Sequence, residues 1–105
     1  MENLFLEEDT NKMKFEDLKQ LKKLTGAISC RKRYHNKNKT GGNFGIDIYM
    51  KNGYQEIGGT YNTEGEIIEI HWGMDYKILR WNMKIRSVEG LAEIIRGIDE
   101  KKQND

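Results

Sequence analysis

A chain of 105 residues has the length of one domain, enough for a single hydrophobic core and too short to set a cofactor domain beside a substrate domain. Hydrophobic residues make up 36% and charged residues 33%, yet two Trp, five Tyr and three Phe supply enough bulk to bury, which argues against disorder throughout. The single cysteine, Cys30, excludes an intrachain disulfide and a four-cysteine zinc site, and fits a reducing compartment.

The net charge of +1 hides an uneven distribution. Between residues 19 and 39 stand Lys19, Lys22, Lys23, Arg31, Lys32, Arg33, Lys37 and Lys39 with no acidic residue, while both flanks are net acidic. Such asymmetry points to a partner-facing patch. The opening residues, Met1 to Asp9, carry neither a basic region nor an apolar run suited to a secretory signal, and nothing later approaches a membrane span. A cytoplasmic protein without membrane contact is therefore expected.

Residues 1–12 lack a sustained apolar period and are expected to fray unless Leu4, Phe5 and Leu6 find a docking site. From Met13 to Leu24 the residues are strong helix formers, with Phe15, Leu18, Leu21 and Leu24 lining one side and Gly26 placed to end the helix. Ala27 to His35 reads as a strand with Ile28, Cys30 and Tyr34 on one face and Ser29, Arg31, Arg33 and His35 on the other. Residues 36–43 offer nothing to a core and read as a flexible basic loop.

Phe44 to Met50 alternates most clearly, with Phe44, Ile46, Ile48 and Met50 on the buried side. Lys51-Asn52-Gly53 then reverses the chain into Tyr54 to Tyr61, giving a hairpin. Gly58 and Gly59 within the return strand imply a weakened strand, a bulge or the close approach of another backbone. After a second turn at Asn62 to Gly65, Glu66 to Trp72 places Ile68, Ile70 and Trp72 on a common face. A reversal at Gly73 to Asp75 leads into Tyr76 to Ile85, with Leu79, Trp81, Met83 and Ile85 on one side.

The chain closes with a helix, capped by Ser87 and carrying Leu91, Ile94, Ile95 and Ile98 at helical spacing. Gly90 and Gly97 within it each cost up to about 1 kcal/mol relative to Ala, which close packing on the sheet would offset. The expected fold is one α+β domain, 1–105: an antiparallel meander of four or five strands with an N-terminal and a C-terminal helix on one face. Its core should include Ile46, Ile48, Ile70, Trp72, Leu79 and Trp81 from the sheet. An uncovered edge strand would permit a homodimer across a two-fold axis.

Chemistry-bearing residues are few. Cys30, His35 and His71 fall in no zinc-ligand spacing, so neither metal nor cofactor is expected. Cys30 with His71 as base would suit a cysteine hydrolase if strand pairing joined them, but the alternation turns Cys30 inward, where a thiol is inert. Glu56, Glu64, Glu66 and Glu69 read as solubilising carboxylates. Lys39-Thr40-Gly41-Gly42 has the wrong order for a phosphate-binding loop, and it leads into a strand. No catalytic role is assigned.

The basic segment carries the functional reading. Lys22, Lys23, Arg31, Lys32, Arg33, Lys37 and Lys39 would track a phosphate backbone, while Tyr34, Tyr49, Tyr54, Tyr61 and Trp81 would stack on bases if they reach an open sheet face. Otherwise those aromatics fill the core and cross-strand pairs. With Lys84-Ile85-Arg86-Ser87 placed just before the last helix, the meander ending in a helix loosely resembles the single-stranded-DNA-binding coactivator family, where a comparable segment precedes the helix.

The expected function is non-catalytic binding of nucleic acid, single strand before duplex, or of nucleic-acid-processing machinery. The alternative is a protein inhibitor of an enzyme: an immunity protein, or a phage or mobile-element counter-defence protein of the anti-CRISPR kind. The basic loop would then occupy a nucleic-acid groove, or acidic sheet residues would imitate phosphate.

Overall fold

The structure, a computed structural model, describes residues 13–73, 78–81 and 87–103. Phe15–Gln20 forms a 3₁₀ helix that runs directly into α1, Leu21–Thr25. Five strands follow: β1 (Ser29–Asn38), β2 (Gly41–Met50), β3 (Gly53–Tyr61), β4 (Ile67–Gly73) and β5 (Ile78–Trp81), then α2 (Val88–Gln103). The strands pair antiparallel in chain order, so the sheet is a meander with β1 and β5 at its edges. This is the α+β arrangement expected from the periodicities.

Local chemistry accounts for the helix ends. The Asp17 carboxylate accepts from Lys14 N, and Gly26 stops α1 in the left-handed conformation at φ 73°. Thr25 is buried because its hydroxyl donates to Leu21 O at 2.6 Å and accepts from Ala27 N at 3.2 Å. At the start of α2, Ser87 Oγ accepts from Gly90 N at 3.1 Å, the expected cap.

One face of the sheet is covered. Phe44, Ile46, Ile48 and Met50 from β2, Ile57 and Tyr61 from β3, and Ile70 and Trp72 from β4 pack with Leu18, Leu21, Leu91, Ala92 and Ile95. Ile94 and Ile98 are only partly buried, so Ile95 holds the deeper position on α2. Gln55 is fully buried among them: its Nε2 donates to Ile95 O at 2.9 Å, and its Oε1 accepts from Trp72 Nε1 at 3.1 Å. Leu79 and Trp81 stand opposite Trp72 and Ile70 in the ladder; their side chains, and residues 76–77 and 82–86, lie outside the described part.

Three expectations are corrected. Residues 36–43 are not a flexible loop: Asn36 pairs with Asn43, Lys37 with Gly42 and Asn38 with Gly41, leaving Lys39 and Thr40 as the connection. Asn38 Oδ1 accepts from both Thr40 N and Thr40 Oγ1 at 2.8 Å, and Asn36 Nδ2 donates to Asn43 Oδ1 at 3.1 Å, so side chains tighten the hairpin. Next, the register of β1 shifts between Lys32 and Tyr34, which interrupts the expected alternation. Lastly, a shift between Thr60 and Tyr61 brings Ile67, not Ile68, opposite Tyr61 and leaves Ile68 63% exposed.

Gly58 and Gly59 mark no bulge, since both pair regularly with β2 and β4. They answer to close approach: a Cβ on Gly59 would collide with the Glu69 carbonyl, and one on Gly58 would stand 2.9 Å from His71 Nε2.

Candidate nucleic-acid interface

The helices occupy one side of the sheet, and the described residues place no element over the other. Register assigns each β1 residue to a side. Cys30 and Lys32 stand opposite the buried Ile48 and Ile46, and His35 stands opposite Phe44, so these belong to the helix side. Arg31 stands opposite Asp47 and Tyr34 opposite Gly45, on the open side. The residue at the shift, Arg33, reaches Asp47 and Glu56 there. Tyr34 and His35 have therefore exchanged the faces that strict alternation gives them.

The expected basic residues are all exposed, but they do not form one plane. Arg31 and Arg33 lie on the open side, Lys32 and Lys37 on the helix side, Lys39 at the hairpin tip, and Lys22 and Lys23 on the last turn of α1. Arg33 differs from the rest. Its Nη1 pairs with Glu56 Oε2, its Nε lies 3.6 Å from Asp47 Oδ1, and its guanidinium stands 5.6 Å from the Tyr34 ring centroid. Arg31, Lys32, Lys37 and Lys39 have no carboxylate partner among the described residues.

The aromatic residues divide in the same way. Tyr34 and Tyr49, 40% and 37% exposed, lie on the open side with Tyr54. Tyr49 and Tyr54 are a cross-strand pair with centroids 5.1 Å apart. The Tyr54 hydroxyl donates to Asp47 Oδ1 at 2.9 Å; burial, that hydrogen bond and the charges of Asp47 and Glu56 push its pKa well above the ordinary phenol value. Tyr61 is buried on the helix side, so it is no stacking partner.

Around Tyr61 lies a cluster that sequence reasoning missed. His35 Nε2 meets the Tyr61 hydroxyl, and Phe15 sits 4.4 Å from the His35 ring and 4.8 Å from the Tyr61 ring by centroid. Burial, then Lys32 and Lys37, hold the His35 pKa below the ordinary imidazole value. The signal that could have found it is a displaced alternation in β1, which the sequence itself does not mark.

Cys30 and His71 are not brought together: Cys30 belongs to the helix side of β1, His71 to the open side of β4. Burial raises the Cys30 pKa and so favours the protonated thiol, an effect that the charge of Lys22 opposes in part. The carboxylates are similarly dispersed. Glu56 serves Arg33, Glu66 Oε1 accepts from Asn62 Nδ2 at 3.0 Å, and Glu64 and Glu69 are exposed. No described group of three or more His, Cys, Asp or Glu residues is arranged to hold a metal ion, and no described helix is long and apolar enough to cross a membrane. No protein-family model, curated protein or solved structure matches the chain.

Proposed function

We propose that the protein binds single-stranded nucleic acid along the β1 edge of its sheet. The carrying observation is that Arg31, Lys32, Lys37 and Lys39 are exposed, without carboxylate partners among the described residues, along a ten-residue edge strand and its turn. A strand of that length spans about 33 Å at the usual rise, room for several phosphates. Its cations project to both sides of the sheet edge. A flexible single strand can curl around such an edge, whereas a duplex offers phosphates in a rigid arrangement.

The structure changes the weight of the individual residues. Arg33, held by two carboxylates, contributes little net charge to a phosphate. Lys22 and Lys23 lie on α1, so they extend the helix-side lysines and not Arg31. The first contacts are accordingly Arg31, Lys32, Lys37 and Lys39.

Fluorescence anisotropy of a labelled oligothymidylate across a salt series tests this reading. Wild type should bind with an affinity that falls steeply with salt. Replacing Arg31, Lys37 and Lys39 with Gln should reduce the slope of log K against log salt by about 2, at about 0.7 per lost single-strand phosphate contact. Equal slopes would remove these residues from the interface. No binding at low salt would overturn direct recognition and turn the search to a protein partner.

A further inference from the structure

One row across the open face combines two rings with bare backbone. Tyr34, Gly45, Gly58 and His71 stand opposite one another in successive strands from β1 to β4. Two glycines facing each other in the middle strands leave a floor without side chains, with strands about 4.8 Å apart. Glycine is unfavourable within a strand, costing roughly 0.5–1 kcal/mol relative to Ala, and the helices that would require close approach pack on the opposite side.

The rings use this floor. A Cβ on Gly45 would collide with Tyr34 Cε2, and one on Gly58 would lie 2.9 Å from His71 Nε2. Tyr34 thus leans inward from β1 and His71 from β4, each over the glycine of the adjacent strand. Tyr34 nevertheless remains 40% exposed. Arg33 braces its ring from the neighbouring row while neutralising Asp47 and Glu56, the carboxylates that would otherwise repel a phosphate there.

We propose that Tyr34 and His71 form a two-ring stacking platform for the bases of a single strand whose phosphates follow β1. This rests on the nucleic-acid reading above. The occupant is set by chemistry: the exposed ring of Tyr34 and the partly exposed ring of His71 offer π faces to bases of any identity, and Arg31, on the same side of β1, complements the attached phosphates. Gly45 and Gly58 are then the residues that let both rings lie low enough to share a surface.

The test compares an oligothymidylate with an abasic oligonucleotide of equal length, which keeps the sugar-phosphate chain and lacks bases. Wild type should bind the oligothymidylate more tightly. Tyr34→Ala and His71→Ala should each lose roughly 5-fold or more on the oligothymidylate and leave abasic binding unchanged, while Tyr34→Phe keeps wild-type affinity. Gly45→Ala, which forces the Tyr34 ring off its seat without removing it, should reproduce the base-dependent loss and provides a second route should Tyr34→Ala fail to fold.

Equal binding of both oligonucleotides by wild type would overturn the platform and leave the β1 phosphate reading standing. Loss with Tyr34→Ala but not with His71→Ala would overturn the two-ring form. Failure of wild type to bind either oligonucleotide would overturn both readings.

Discussion

Gly97 is the second of two glycines in the C-terminal helix. It lies within α2, where glycine forfeits backbone entropy, and close packing was the expected compensation. In the structure it is exposed, and a Cβ built on it would meet nothing within 4 Å. Gly97→Ala should therefore stabilise the protein by about 0.5–1 kcal/mol, read as a higher urea midpoint with an unchanged slope. An equal or lower midpoint would mean that the position answers to a contact outside the described residues. Gly45 and Gly58 present the opposite case, because their missing side chains are occupied by rings from neighbouring strands. Sequence cannot separate these glycines from Gly97; what a side chain would meet depends on elements distant in the chain.

At the scale of elements, the seat of α2 on the sheet combines apolar burial with one polar tie. Leu91 and Ile95 are fully buried, as their spacing predicts, but Gln55 between them and Trp72 was invisible to a pattern that counts apolar residues. Gln55→Leu would add apolar volume while removing the acceptor of Trp72 Nε1 and the donor to Ile95 O. Loss of these buried hydrogen bonds should destabilise the fold by about 1–3 kcal/mol in urea denaturation; a variant as stable as wild type would show that the tie is replaceable by packing. The meander and both helices were legible because period-two and period-3.6 patterns follow directly from burial on one side. The two register shifts were not, since an inserted residue is defined against its pairing partner and not by its own type. The shift in β1 displaced Tyr34 and His35 from their expected faces, and the shift between β3 and β4 displaced Ile68. The basic candidates were legible as a charge block, but their division between faces, and the capture of Arg33 by Asp47 and Glu56, depended on β1 meeting β2 and β3 in this register.

For the whole molecule, a sheet with one covered and one open side separates the origins of stability from the proposed origins of binding, and pH should distinguish them. His35 joins the N-terminal segment to the sheet through Phe15 and Tyr61, with Lys32 and Lys37 as the charged groups acting on it. Burial and those lysines depress its folded pKa below the ordinary value of 6.5. Between the two pKa values the unfolded chain binds the additional proton, so stability from His35 is complete above 6.5 and is lost as pH falls through the folded value. The melting temperature of wild type should consequently drop between pH 7.5 and 5.5 by more than that of His35→Gln, whose side chain does not titrate. Parallel profiles for the two proteins would show that protonated His35 is tolerated in its place against Tyr61. Electrostatic attraction of phosphate to β1 should change in the opposite direction, because acid adds positive charge to the protein. A fall in stability accompanied by undiminished oligonucleotide affinity, measured below the melting transition, is therefore the combination expected of a fold whose pH-sensitive joint lies under the sheet while the proposed ligand occupies the edge and the open side.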